Sequence, residues 1–215
     1  MDIMNTGKVE WTQRGITMAR QRHPHKYTRR GPGDDRVVLL DVDGVVADMS
    51  MFEHELARPA AARWPASFSH LADAEVNASG FDLAWAIEGL GFTLVYSTTR
   101  PDHTHAGTRA WLTDHDLPAG RALLCRPQTM AWSSTAAEVK RSHCRLVRRQ
   151  HPQWLRGFVD DEAPIVDHFA GEGLPALLAA DLAGLGSRAL GQVFDGTEQA
   201  PTAAQHHTSI TSNSA

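Results

Sequence analysis

Long apolar stretches are missing from this 215-residue sequence. Its apolar runs are short, as at Val37 to Leu40, whereas a helix that crosses a bilayer needs about 20 apolar residues. The first residues mix charged and apolar side chains without a continuous apolar run, so we expect neither a transmembrane protein nor a secretory signal. The sequence predicts a cytoplasmic protein.

Cysteine is scarce as well, with two residues, Cys125 and Cys144. They fall in separate predicted elements, and their spacing fits neither a disulfide framework nor a zinc knuckle. We therefore expect both to be ordinary buried or half-buried thiols, and the fold to depend on its apolar core. With 42% hydrophobic residues the chain can form such a core.

Charge is divided unevenly between the first residues and the rest of the chain. Residues 1–33 contain seven Lys or Arg and two acidic residues, a net charge of +5, which leaves the remainder at −9. A basic segment can contact nucleic acid or an anionic surface, although a solvated leader is the simpler interpretation. Ser, Thr, Ala and Gln dominate the last residues. We predict a disordered basic leader over 1–33, one domain over 34–195 and a disordered polar tail over 196–215.

Short apolar runs alternate with helix-like stretches along the predicted domain. The pattern predicts strands at 36–40, 92–96, 121–125, 154–159 and 174–180, and helices at 82–90, 102–115, after Thr135 and at 163–169. Thr135 and Glu138 have the spacing of a capping box. Strands that alternate with helices predict β-α-β units. The expected fold class is α/β, a mostly parallel Rossmann-like sheet with helices on both faces, which binds ligands at the carboxyl ends of its strands.

Two pairs of carboxylates follow two of the predicted strands. Asp41 and Asp43 come directly after the run Val37 to Leu40, and Asp160 and Asp161 follow a second apolar run. Alone, the first pair could be an acidic turn. Two such pairs at the ends of neighbouring strands repel each other unless a divalent cation neutralises them, and an all-oxygen set of ligands suits Mg²⁺.

Hydroxyl groups and cations occupy comparable positions. Ser97, Thr98 and Arg100 follow the strand predicted at 92–96 and could form a phosphate cradle, or the hydroxyls could only cap the next helix. Lys140 is the only lysine after the basic leader, where 13 arginines occur. In the first turns of its helix, its compact ammonium could point at phosphate oxygens, although lysines usually lie on the surface.

These motifs, in this order, resemble the haloacid dehalogenase-like (HAD) superfamily of phosphotransferases. Asp41-Val-Asp43-Gly-Val is similar to the first motif, Thr98-Thr-Arg100 to the second, Lys140 to the third and Asp160-Asp161 to the fourth. Ser97 would supply the hydroxyl of the second motif if the register slipped by one residue. The insert after the first motif is about 45 residues long and includes the helix predicted at 82–90, so the resemblance implies a small or absent cap.

The resemblance implies a phosphate transfer in two steps. Asp41 would attack phosphorus and form an aspartyl-phosphate. Asp43 would protonate the leaving oxygen and then take a proton from the attacking water. Thr98 and Lys140 would stabilise the phosphoryl oxygens during transfer.

It also implies a metal and a substrate-binding pair. Mg²⁺ would be held by Asp41, by the main-chain carbonyl of Asp43, and by Asp160 and/or Asp161. Arg100 and Arg126 would bind a flanking phosphate or the substrate backbone. The resemblance gives no oligomeric state.

A narrower likeness is to the phosphatase domain of polynucleotide kinase-phosphatases. It rests on Trp111-Leu112 in a predicted helix and on Arg126 at the end of a predicted strand. The sequence contains no Gly-x-x-x-x-Gly-Lys-[Ser/Thr] loop, so the likeness extends to the phosphatase alone. We expect a Mg²⁺-dependent phosphomonoester hydrolase that acts on a nucleic-acid end such as a 3′-phosphate. A nucleotide or small-metabolite phosphatase, or a non-catalytic phosphate-binding protein, is the alternative.

Overall fold

A computed structural model describes residues 36–57, 70–150 and 154–196 of the chain. The predicted basic leader and nearly all of the predicted polar tail lie outside these residues. Among the described residues, no helix combines the length and the apolar character that a bilayer crossing requires.

Two sheets are present in the described residues. The strands are β1 (Val37–Asp41), β2 (Ala47–Asp48), β3 (Glu75–Val76), β4 (Thr93–Pro101), β5 (Ala122–Arg126), β6 (Leu155–Asp160) and β7 (Ala176–Leu178). Five of them form a parallel sheet in the order β5-β4-β1-β6-β7, and β2 and β3 form an antiparallel pair. The mostly parallel sheet predicted from the sequence is confirmed.

Helices connect the strands. They are α1 (Ala78–Gly89), α2 (His105–Asp114), α3 (Ala136–Gln150), α4 (Ala163–Gly171), α5 (Ala179–Leu182) and α6 (Ser187–Asp195), with short 3₁₀ turns at Ser50–Ala57, Leu71–Asp73 and Asp102–Thr104. The capping box is confirmed, because the Thr135 backbone N–H donates to Glu138 Oε2 at 2.7 Å and the Glu138 N–H donates to Thr135 Oγ1 at 3.2 Å.

Some predicted boundaries are wrong. The helix predicted at 82–90 begins at Ala78, because the Asn77 side chain accepts from the Ser79 N–H at 3.1 Å and so caps an earlier turn. The last strand ends at Leu178, and the next two residues begin α5 instead of extending the strand. Helix α6 was not predicted from the sequence.

The central strand β1 is buried on both faces, and its side chains alternate between two cores. Val38 and Leu40 pack in the core shared with α1, α2 and α6. Val37 and Leu39 pack in the core shared with α3 and α4. Helices therefore cover both faces of the sheet, as the apolar sequence of β1 predicts.

The order of the strands determines where the motifs meet. Strand β1 lies between β4 and β6, so its carboxyl end is flanked by the carboxyl ends of both neighbours. Asp41, the last residue of β1, is in register with Ser97 of β4, and Leu40 is in register with Val159 of β6, one residue before Asp160. The edge at which parallel α/β sheets bind ligands thus contains all of the motifs.

Candidate active site

Three carboxylates meet at the carboxyl ends of β1 and β6. One oxygen from each of Asp41, Asp160 and Asp161 lies within 4.8 Å of the others. Asp41 and Asp160 are buried, whereas Asp161 is exposed. The structure thus brings together three of the four carboxylates of the two acidic pairs.

Lys140 reaches this cluster from α3. Its Nζ lies 2.7 Å from Asp41 Oδ2 and 2.6 Å from Asp160 Oδ2, and its side chain is 2% exposed. Burial opposes the charged ammonium, but the two carboxylates outweigh burial and raise the pKa of Lys140. The only lysine after the basic leader is therefore a buried cation between two strand ends, not a surface residue.

The charges of this cluster do not cancel. Burial raises the pKa of Asp41 well above its usual range, and the nearby Lys140 ammonium opposes that rise. Burial, followed by the charge of Asp160, raises the pKa of Asp161 to about 6. The cluster thus holds three acidic groups and one ammonium, an excess of acidic groups that favours the binding of a cation.

The donor set fits Mg²⁺. All three side chains offer oxygen ligands, and Asp161 leaves one side of the cluster open to solvent. Gly44 leaves space for the Asp161 carboxylate, because a Cβ atom at this position would lie 2.0 Å from Asp161 Oδ2. Gly44 also has a φ of +79°, which turns the chain after the first motif.

Asp43 is held by the residues of the second motif. Arg100 Nε lies 3.0 Å from both Asp43 carboxylate oxygens, and its Nη2 lies 2.5 Å from Oδ1. Thr98 Oγ1 donates to Asp43 Oδ2 at 3.1 Å. Because Arg100 is fully buried while the Asp43 side chain is 27% exposed, Asp43 is the member of this group that a substrate can reach.

The two hydroxyls of the second motif point to different partners. Thr98 Oγ1 bonds Asp43, whereas Ser97 Oγ lies 2.9 Å from His143 Nδ1. Thr98 is therefore the hydroxyl beside the first motif, and Ser97 connects β4 to α3. Sequence reasoning did not single out His143; the signal for it is its position one helical turn after Lys140.

The two arginines predicted to bind substrate have other partners in the structure. Arg100 pairs with Asp43 instead of facing solvent. Arg126 donates from Nη1 to the carbonyl of Ala131 at 3.1 Å and from Nη2 to that of Ser134 at 3.1 Å. Its guanidinium also lies 5.7 Å from the ring centroid of Trp132. Arg100 thus orients Asp43, and Arg126 holds the loop between β5 and α3.

Solved structures with a similar fold include a chain of the Pnkp1/Rnl/Hen1 complex. It is 15% identical, with a TM-score of 0.53, and the match covers 71% of this chain and 48% of that chain. This protein therefore spans about half the length of that one. A second similar structure is CbbY from Rhodobacter sphaeroides in complex with phosphate, at 14% identity and a TM-score of 0.46, over 67% of this chain and 85% of CbbY. The likeness to the Pnkp1/Rnl/Hen1 chain, together with the strand order, confirms the predicted Rossmann-like α/β fold with a mostly parallel sheet.

A comparison with curated protein sequences found no match. A family model described as the LNS2 domain of PITM 1-3 matches residues 38–151. The matched range includes Asp41, Thr98 and Lys140, and ends before β6 with its Asp160. Because this match covers more than half of the chain, the protein belongs to the LNS2 domain family, whose members have a HAD-like phosphatase fold.

Proposed function

We propose that this protein is a Mg²⁺-dependent phosphomonoester hydrolase that works through an aspartyl-phosphate on Asp41. The main support is a buried contact of 2.7 Å between Lys140 Nζ and Asp41 Oδ2. Asp160 and Asp161 lie in the same cluster as Asp41. A buried carboxylate at a strand end with a fixed cation beside it is arranged for nucleophilic attack on an anionic phosphate.

In the first step, Asp41 attacks the phosphorus of the ester. Lys140 contacts Oδ2 of Asp41, which leaves Oδ1 as the attacking atom. A bond forms between Oδ1 and phosphorus, the bond from phosphorus to the ester oxygen breaks, and Asp43 gives its proton to the leaving oxygen. Lys140 and Thr98 stabilise the phosphoryl oxygens during the transfer.

In the second step, Asp43 takes a proton from a water molecule. That water attacks the phosphorus of the aspartyl-phosphate, inorganic phosphate leaves, and the Asp41 carboxylate is restored. Arg100 keeps Asp43 in position during both steps through the hydrogen bonds described above. Asp43 can serve both steps because its side chain is partly exposed next to the buried Asp41.

The residues that would hold Mg²⁺ are Asp41, Asp160, Asp161 and the main-chain carbonyl of Asp43. When bound, the ion would neutralise charge between the carboxylates and the phosphate and so permit the approach of two anions. The orientation of the Asp160 carboxylate is fixed, because its Oδ1 accepts from the Glu162 N–H at 3.0 Å and its side chain is fully buried.

We infer that the substrate is a phosphate group on a large molecule. The preferred case is the 3′-phosphate of a nucleic acid. The described part of the insert consists of short 3₁₀ turns and the β2–β3 pair, and these residues leave room for a long substrate at the carboxyl ends of the strands. The fold likeness to a chain of the Pnkp1/Rnl/Hen1 complex supports the same choice. Nucleotides and small phosphorylated metabolites are the alternative substrates.

The test is phosphate release in the presence of Mg²⁺ from a panel of esters. The panel contains a 3′-phosphorylated oligonucleotide, a 5′-phosphorylated one, mononucleotides and an aryl phosphate, and each is also run with Asp41→Asn. We expect Mg²⁺-dependent release that EDTA abolishes, fastest from the 3′-phosphate, and none from the variant. Release only from small esters would move the substrate to the metabolite class. If no ester is hydrolysed in an Asp41-dependent way, the protein is a phosphate-binding member of the fold and not an enzyme.

A further inference from the structure

A trough lies between α3 and the edge strand β5, outside the proposed active site. Its larger part is a cavity of about 670 Å³, lined by β5, by the loop that follows it and by α3. A smaller cavity of about 110 Å³ shares Leu124 and Leu146 with it and ends at Trp154. The two cavities therefore form one trough along the face of β5.

Strand β5, beside the trough, is an edge strand. This strand is the last in the sheet, and β4 is its only partner among the described residues. Leu123, Leu124 and Cys125 all line the larger cavity, although consecutive side chains of a strand point to opposite faces. The backbone of β5, together with its side chains, therefore forms one wall of the cavity. An edge of this kind is a template for an additional strand.

The floor of the trough is apolar. Leu124 and Leu146 lie in both of its parts, and Val147 and Trp154 continue the floor in the smaller one. Leu146 is 46% exposed and is one of the large apolar side chains that lie exposed among the described residues. A floor of this composition binds apolar side chains.

The rim of the trough is basic. Arg145 and Arg149 line the larger cavity, and neither forms a salt bridge with a carboxylate of any other described residue, whereas Arg141 on the same helix is paired with Glu172 at 2.6 Å. Asp102 is the acidic residue that lines the cavity, at the end near the loop after β5. Two unpaired guanidinium groups on an apolar floor favour an anionic, partly apolar ligand.

We infer that this trough binds an extended acidic peptide, which adds to β5 as a further strand of the sheet. The open edge would bond the peptide backbone, and the peptide side chains that face α3, every second one, would pack on Leu146 or pair with Arg145 and Arg149. The chain's own first 33 residues are a poor occupant because they carry a net charge of +5. A nucleic acid fits less well, because its phosphates would lie against leucine side chains and strand carbonyls.

The test uses the full chain and fluorescein-labelled eight-residue probes measured by anisotropy. The main probe carries Glu and Leu in turn at every second position, which is the set of side chains that faces α3, and Val at the positions between. Controls replace Glu by Lys, replace the apolar residues by Ser, or N-methylate alternate backbone nitrogens. We expect the main probe to bind, its affinity to fall with salt, and each control probe to bind at least about tenfold more weakly.

Amino-acid substitutions distinguish binding of the probe in the trough from binding to other basic surfaces. The double variant Arg145→Glu/Arg149→Glu and, separately, Leu146→Glu should each weaken the main probe at least about tenfold, while Arg188→Glu on the exposed surface of α6 should leave it unchanged. Phosphate release and circular dichroism, which these residues should not alter, report that the variants are folded. Equal affinity in the wild type and the double variant would overturn the inference. So would binding of a ten-residue oligothymidylate that depends on Arg145 and Arg149 in place of the peptide, or displacement of the main probe by a synthetic peptide of residues 1–33.

Discussion

Ser97 and His143 share a buried hydrogen bond that connects β4 to α3 beside the carboxylate cluster. Ser97 Oγ lies 2.9 Å from His143 Nδ1, and His143 Nε2 lies 3.0 Å from the carbonyl oxygen of Cys125 in β5. A carbonyl only accepts, so Nε2 carries the proton and Nδ1 accepts the Ser97 hydroxyl. Lys140 lies one helical turn before His143, and this contact therefore fixes the part of α3 from which Lys140 reaches Asp41.

Removing this bond should affect catalysis more than substrate binding. His143→Leu is expected to lower kcat for an aryl phosphate by roughly tenfold to a hundredfold with little change in KM, because Lys140 would lose its fixed distance to the phosphoryl group. His143→Gln can still donate to the Cys125 carbonyl and accept from Ser97, so it should recover most of the loss. If His143→Leu lowered the melting temperature but not kcat, the histidine would only stabilise the fold.

The same histidine makes stability depend on pH. Burial, with a further contribution from Lys140, lowers the pKa of His143 to about 4, against a usual value of 6.5. Between these two pH values the unfolded chain binds a proton that the folded protein does not, so stability falls as pH falls through this window and levels off below it. From about pH 7.5 to about pH 5 the loss should be about 2 kcal/mol.

Urea unfolding of the wild type and His143→Gln at both pH values measures this contribution. Carboxylates that titrate in the same range affect both proteins alike, so the difference between them isolates the histidine. The advantage of the wild type over the variant should shrink by about 2 kcal/mol on acidification. An advantage that does not change with pH would mean that His143 has the same pKa in the folded and the unfolded protein.

Lys140 and Arg141 are neighbours in the sequence with opposite environments. Lys140 is buried against Asp41 and Asp160, whereas Arg141 pairs on the surface with Glu172 and His168. Lys140→Ala should reduce kcat about a hundredfold or more, as expected for the loss of a preorganised charge on the phosphoryl group. Arg141→Ala should change kcat less than about twofold, since exposed pairs contribute little. Similar losses in the two variants, measured at matched circular dichroism, would remove Lys140 from the active site.

The sequence alone was sufficient to predict which strand or helix carries each of the main site residues. Asp41 follows a strand that is apolar on both faces, and Lys140 follows a capping box, so local patterns alone place one at a strand end and the other in the first turns of a helix. The partners of Arg100 and Arg126 could not be predicted in the same way. Arg100 binds Asp43, 57 residues away in the sequence, and a long side chain at a strand end can turn toward substrate or into the protein with the same local pattern.

Helix α6 shows a second limit of local patterns. Its buried residues Leu190, Val193 and Phe194 have helical spacing, but Gly191 interrupts the sequence, and glycine lowers helix propensity. In the structure, a Cβ atom at Gly191 would lie 3.7 Å from Leu90 at the end of α1, so the helix is stabilised by packing on another part of the chain. Such contacts between distant residues are not readable from the helix's own sequence.

Two glycines have the same backbone conformation, and alanine substitutions at the two positions distinguish the effect of backbone strain from an effect on the metal site. Gly44 has φ +79° and Gly173 has φ +74°, so alanine at either position should cost about 1 to 2 kcal/mol of stability. A Cβ atom at Gly44 would lie 2.0 Å from Asp161 Oδ2, whereas nothing lies within 4 Å of one at Gly173. Gly44→Ala must therefore displace the Asp161 carboxylate, and Gly173→Ala must not.

The readouts are the rise in melting temperature on addition of Mg²⁺ and the rate of phosphate release. Gly173→Ala should keep both, at a melting temperature lowered by the backbone strain alone. Gly44→Ala should lose most of the Mg²⁺-dependent rise and of the turnover, because Asp161 can no longer occupy its place in the carboxylate cluster. A Gly44→Ala variant that keeps the full response to Mg²⁺ would show that the carboxylate of Asp161 takes no part in holding the ion, and the ligands would then be Asp41, Asp160 and the Asp43 carbonyl.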